Sequence, residues 1–217
     1  MLLRPPGVYR PQDDTGLLGE ALAGVTLPPG SRVLDVGTGT GALAVAAVRS
    51  GAADVTAVDV SRRALAAAWL NARVRRLPVR VRRTDVSTVL PKGPFDLVLA
   101  NPPYVPWPGG ARSSSRWDAG PDGRAVIDPL CVAVPRLLSE RGSFLLVQSS
   151  LSGVGRTLTA LKETELRTSI VARKRIPFGP VLRERVDYLE QRGLISGGQR
   201  EEELVVIRAD RTDRTRS

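Results

Sequence analysis

The chain contains no histidine. That excludes histidine-based catalytic triads, histidine-ligated metals and the commonest general base, and no metal site is expected. A single cysteine, Cys131, excludes an internal disulfide framework and agrees with a reducing, cytoplasmic setting. No run approaches the ~18 apolar residues of a membrane span, so no membrane association is expected. The opening MLLRPPGVYR has neither a long apolar stretch nor a small-residue cleavage site, and does not read as a signal peptide. Lysine is scarce as well: Lys92, Lys162 and Lys174 are the only ones. The formal charge of +10 therefore rests on arginines spread along the chain. RNA, DNA or a ribosomal complex would suit that charge, but charge alone assigns no partner.

What is present describes one α/β domain. At 217 residues and 42% hydrophobic content, one sizeable core is affordable, and residues 1–209 are expected to form it, with 210–217 as a basic, disordered tail. Residues 31–36, 53–60, 78–83, 95–100, 143–148, 166–173 and 203–209 read as strands. The stretches between most of them read as helices: DTGLLGEALAG is capped by Asp13, Asp14 or Thr15, and RRALAAAWLNARVRR by Ser61. RAVIDPLCVAVPRLLSERG reads as mostly helix, followed by a helix near 152–162. Strands alternating with helices predict a doubly wound, mostly parallel sheet.

Asp35-Val-Gly37-Thr-Gly39-Thr-Gly41 lies between the first strand and its helix. Glycines there let the backbone turn sharply and approach a ligand, beside the unpaired N–H groups of a helix start. With Ala42 the run also satisfies the dinucleotide pattern, so a nicotinamide enzyme stays open at this point. Asp59 ends the second strand about twenty residues on, where a carboxylate can accept from ribose hydroxyls. Asp85 ends the third, placed for an exocyclic adenine amine, with Val86 to cover the ring. Asp35 favours a cofactor carrying a positive amino group over a pyrophosphate.

The fourth strand ends in Asn101-Pro102-Pro103-Tyr104. Proline fixes the chain and removes donors, so this is a rigid turn. The Asn101 amide oxygen and the Pro102 carbonyl could accept both hydrogens of a planar NH2 group and aim its nitrogen at an electrophile, with Tyr104 packing on the plane. Orientation alone can supply several kcal/mol of such a barrier, and the nitrogen's proton can leave after the new bond has formed.

With these residues assembled, the sequence resembles the class I S-adenosylmethionine-dependent methyltransferases that act on planar nitrogens. VYRPQDDTGLL, NPPY and WDAGPDGRAVID look like the HemK family of glutamine methyltransferases, in its short branch, over roughly residues 7–149. The resemblance implies a seven-stranded sheet with the last strand antiparallel. It implies S-adenosylmethionine contacts from Thr15, Asp35, Gly37, Gly39, Gly41, Asp59, Asp85, Val86 and Asn101. Asn101, Pro102 and Tyr104 would be catalytic, with Pro103, Tyr104 and Trp117 against the substrate and Gly120 and Gly123 shaping the rim. The implied acceptor is the glutamine of a Gly-Gly-Gln motif in a peptide chain release factor; adenine in DNA or RNA, or a protein lysine, are the alternatives.

Two features depart from the family pattern. A small activator subunit would pair with the edge strand PVRVRR, residues 78–83, whose charges are typical of a strand protected against pairing. Residues 178–198 are longer than the family leads one to expect; Pro180, Leu182, Val186, Leu189 and Gly193 predict one amphipathic helix on the cofactor side of the sheet, a candidate lid. Gly197-Gly198-Gln199 is expected to be a turn.

Overall fold

The computed structural model describes residues 2–86, 88–107 and 119–211. Trp117 and the tail from residue 212 lie outside them. In chain order the elements are α1 (Asp13–Ala23), β1 (Arg32–Val36), α2 (Ala42–Arg49), β2 (Asp54–Asp59), α3 (Arg62–Arg73), β3 (Val79–Arg83), β4 (Phe95–Ala100), α4 (Ile127–Leu137), β5 (Leu138–Ser149), α5 (Val154–Glu163), β6 (Leu166–Pro177), α6 (Pro180–Glu184), α7 (Val186–Gln191) and β7 (Glu201–Arg211). A 3-10 turn at Ser150–Ser152 joins β5 to α5.

The strands form one seven-stranded sheet in the order β3-β2-β1-β4-β5-β7-β6. The first five run parallel, and β7 is antiparallel to both β5 and β6. Strand side chains alternate between two cores, as a period of two requires. Val33, Val55, Leu97 and Val147 face the α1 and α2 side with Leu18 and Leu43. Leu34, Val58, Val98 and Leu146 face Ile127, Leu130, Val134 and Leu161 of α4 and α5. Strand order reverses between β1 and β4, which opens a crevice at their carboxyl ends.

Five features differ from the sequence expectation. Helix α1 is preceded by Gln12, which makes no side-chain cap bond; Asp13 and Asp14 lie inside the first turn, where Asp14 is buried. Helix α4 stops at Leu137, and the next residues become strand because Leu138 pairs with Phe95. Strand β6 takes in RKRIP by pairing Arg173–Pro177 with Glu201–Val205, and β7 runs on to Arg211. The single amphipathic helix is in fact two short ones, α6 and α7, hinged at Arg185. The break lets Leu182, Val186 and Leu189 close a third small core with Phe178, Ile195, Leu151 and Val105.

This packing makes the segment a structural part of the domain. Leu189 is fully buried, so Leu189→Ala should cost about 2–4 kcal/mol in urea unfolding. A cost below about 0.5 kcal/mol would mean that the segment rests loosely on the surface.

Candidate active site

The crevice holds a cavity of about 590 Å³ that runs from the glycine loop to the turn after β4. Of the residues singled out in the sequence, Gly37, Gly39, Asp59, Asp85, Val86 and Asn101 through Tyr104 line it. Thr15, Asp35 and Gly41 do not, and each has a different task. Gly41 begins α2 at φ +80°, and a Cβ there would sit 3.1 Å from the Cα of Ala68 on α3. Its glycine is required by the close approach of two helices rather than by a ligand.

Asp35 is fully buried behind the loop. Its Oδ2 accepts from the Thr38 hydroxyl at 2.6 Å and the Ala44 N–H at 3.0 Å, tying the loop to the start of α2. Its Oδ1 has no hydrogen-bond partner. Burial pushes this carboxyl up to about 7, against the two hydrogen bonds that lower it. Asp59 accepts from Gly39 N–H at 3.0 Å and Ser61 N–H at 2.8 Å, so one carboxylate fixes the second glycine and the start of α3. The Ser61 hydroxyl caps α3 through the Ala64 N–H.

Three carboxylates, Asp14, Asp59 and Asp85, line the cavity, and no lysine or arginine among the described residues does. The sequence argument placed discrimination against a pyrophosphate on Asp35; the structure spreads it over these three. An anionic diphosphate finds no counter-charge here, whereas a cationic cofactor meets an acidic wall and, behind the loop, an orphaned oxygen of Asp35.

At the other end of the cavity, the first turn of α1 holds the turn after β4. The Asn101 Nδ2 donates to the Thr15 hydroxyl at 3.1 Å, which turns the amide so that Oδ1 stays available as an acceptor. The Tyr104 hydroxyl donates to Asp14 Oδ2 at 3.1 Å, and Tyr9 donates to the same oxygen at 2.6 Å. Thr15 N–H and hydroxyl take the other oxygen at 2.5 and 3.1 Å. Burial, with the Asp14 charge adding to it, raises both phenols well above their usual range. They are therefore donors here, and neither can serve as a base at neutral pH.

From the opposite side, a Cβ on Gly123 (φ +76°) would lie 2.3 Å from the Tyr104 carbonyl oxygen. Trp107 N–H donates to Gly120 O at 2.7 Å, and Ala119 N–H to Val105 O at 3.2 Å. The residues that the sequence argument gave no chemical role are thus Tyr9, Asp14, Arg124 and Glu202. The first three lie inside quoted motifs, but their partners are 90 and 28 positions away for Asp14 and Arg124. Glu202, in a run of three glutamates that reads as a solvated surface, is buried on β7.

Burial, reinforced by the charge of Asp14 and opposed by a Ser149 hydrogen bond, pushes Glu202 up to about 7. Asp35 and Glu202 thus bind a proton more tightly when folded than in the unfolded chain, where carboxyls titrate near ~4. Their contribution to stability is complete below ~4 and is lost as pH rises through about 7. The thermal midpoint should fall between pH 5 and 8, and Glu202→Gln should flatten that fall by a few degrees. Equal slopes for variant and native protein would show that Glu202 is ionised throughout.

The methyltransferase small domain family matches residues 5–175. A Methanocaldococcus jannaschii protein named for N5-glutamine methyltransfer is 32% identical over 177 residues, 80% of this chain and 88% of that one. Mouse methyltransferase HEMK2 is 37% identical over 64% of this chain and 71% of its own. The release factor glutamine methyltransferase of Deinococcus radiodurans is 37% identical over 66% of this chain and 56% of its own. Among solved structures, the Mtq2–Trm112 complex of E. cuniculi, which methylates the eRF1 termination factor, superposes with a TM-score of 0.65. It is 23% identical and covers 94% of this chain and 99% of that one, and shares the fold. The domain match and the length of the aligned relatives lead to one conclusion: the chain belongs to the methyltransferase small domain family, as a HemK-like class I methyltransferase.

Proposed function

We propose that the protein transfers the methyl group of S-adenosylmethionine to the side-chain nitrogen of a glutamine, that of the Gly-Gly-Gln motif of a peptide chain release factor. The observation that carries this is the Asn101 amide, turned by Thr15 so that Oδ1 is free beside the Pro102 carbonyl on the cavity wall. Two acceptors on a rigid turn suit the two hydrogens of a neutral planar amide. The names of the relatives from M. jannaschii and D. radiodurans point to the same acceptor.

The cavity fits the cofactor in charge and in parts. Asp59 would accept from the ribose hydroxyls, Asp85 and Val86 would take the adenine, and Gly37 and Gly39 would admit the amino-acid end close to the backbone. Asp35 stands behind the loop with an unpartnered, buried oxygen. When bound, the cofactor supplies an electrophilic methyl group on a sulfonium. The protein's own residues then have two tasks. Asn101 and Pro102 hold the acceptor nitrogen in line, and Tyr104 flanks the amide plane with its hydroxyl tied to Asp14. No general base is needed, because the nitrogen becomes acidic once methylated and its proton passes to solvent.

Two further parts of the reading follow from the surface. Strand β3 is an edge of the sheet; Trp69 of α3 lies beside it, and Trp69 and Val74, the residue after α3, are both more than half exposed. Arg80, one of the edge charges, is tied to Asp54. These features support a small activator subunit on that edge; the E. cuniculi neighbour is itself a complex of Mtq2 with Trm112. Helices α6 and α7 pack on Val105, next to Tyr104, which supports a role for residues 178–198 in receiving the protein substrate.

The test is transfer from labelled S-adenosylmethionine, offered in parallel to a full-length release factor, a lysine-rich protein, and duplex and single-stranded nucleic acid. Mass spectrometry is expected to place the label on the glutamine nitrogen. Asn101→Ala should lower transfer at least a hundredfold with cofactor affinity nearly unchanged. Label on adenine or lysine would replace the acceptor assignment.

A further inference from the structure

Arg124 is the largest of the fully buried side chains, 2% exposed, yet it touches no part of the cavity. Its Nη1 donates to Ser152 O at 2.6 Å, Gly153 O at 3.0 Å and the Thr157 hydroxyl at 2.9 Å. Its Nε donates to Asp128 Oδ1 at 2.9 Å, and Nη2 completes the pair at 2.5 Å. The guanidinium thereby joins the start of α4 to the turn between β5 and α5. Asp128 is nearly half exposed and is shared with Arg156, which also binds Asp122 at 2.7 Å.

A buried ion pair is an inefficient way to gain stability, since apolar replacements of similar size are often neutral or stabilising. The geometry gives a different reason for this one. Gly123, the preceding residue, stands against the Tyr104 carbonyl, and the same face of Gly123 lies against the side chain of Ser152, the residue whose backbone carbonyl Arg124 holds; an added Cβ would be 3.1 Å from the Ser152 Cβ. The next two residues, Ala125 and Val126, line the cavity. The turn that Arg124 fixes also carries the hydrogen bonds to Val105 and Trp107. Pro102 and Pro103 can donate no backbone bond of their own, so the acceptor turn takes its position from such neighbours.

We infer that Arg124 is a positioning residue for methyl transfer: through Gly123 it sets the backbone of Asn101–Val105, and with it the two acceptors that orient the substrate nitrogen. The inference rests on the reading of that turn as the acceptor grip. A displacement on the order of 1 Å in a reacting group can cost a hundredfold, so a small relaxation of this turn is enough to be seen in the rate.

The test compares the native protein, Arg124→Met, Arg124→Lys and the milder Thr157→Val, all in the full chain. In Arg124→Met, kcat for release-factor methylation should fall ten- to a hundredfold while S-adenosylmethionine affinity stays within twofold. Arg124→Lys should recover only part of the rate, because a point charge cannot reproduce the fork. Thr157→Val, which deletes one bond, should lose two- to fivefold and decides the matter if the methionine variant does not fold. Hydrogen exchange at the Trp107 and Ala119 amides, which donate to Gly120 and Val105, should quicken while that of the glycine loop does not. This readout needs no acceptor, so it holds even if the native protein leaves the release factor unlabelled, an outcome that would count against the acceptor reading alone. Unchanged exchange at Trp107 and Ala119 would overturn the inference. So would a parallel loss of thermal stability, cofactor binding and transfer, which would make Arg124 merely structural.

Discussion

Two consecutive prolines at the end of β4 impose the constraint on which the site depends. Pro102 and Pro103 bring no backbone N–H, so the turn that presents Asn101 and Tyr104 cannot be held by a ladder of its own. Its position comes from outside. The first turn of α1 takes the side chains, through Thr15 to Asn101 and Asp14 to Tyr104. The turn at 119–123 takes the backbone, through the Gly123 contact and the bonds from Trp107 and to Val105. In the proposed function, Asn101 Oδ1 and the Pro102 carbonyl are the acceptors for the planar amide.

The electrostatics of the cavity follow a similar division of labour. Asp59 and Asp14 each spend hydrogen bonds on fixing backbone or phenols while still presenting charge to the cavity. Asp35 works from behind, with one oxygen bracing the glycine loop and the other unpaired. A wall with three carboxylates and, among the described residues, no lysine or arginine favours a positively charged cofactor over a pyrophosphate. The family match agrees, and it decides between the two cofactor types that the glycine pattern alone had left open.

The segment between the last two strands packs against the turn after β4. β6 lengthens to meet the glutamates of β7, and the chain then passes over Val105 as α6 and α7. Trp107 ties it down: Arg185 lies 4.7 Å over its ring, Tyr188 meets it edge-on at 5.4 Å, and the Tyr188 hydroxyl donates to Pro121 O at 2.8 Å. Both flanks of the acceptor loop are therefore in contact with the segment.

The sequence by itself determined the class of fold, because strand and helix periods alternate from β1 to β5 and most of the strands are short apolar runs. It also determined the positions of Gly37, Gly39, Asp59, Asp85 and Asn101, since all of them lie at or within a few residues of a strand's carboxyl end and a parallel sheet gathers such ends on one side. The tertiary structure decided what distance along the chain concealed. Gly41 proved to serve the α2–α3 contact, Asp14 became an anchor for two phenols rather than a helix cap, and Glu202 left an apparent surface run for the interior. In each case the deciding partner is remote in the chain or belongs to another element, and local pattern carries no information about which side chains packing will bring together.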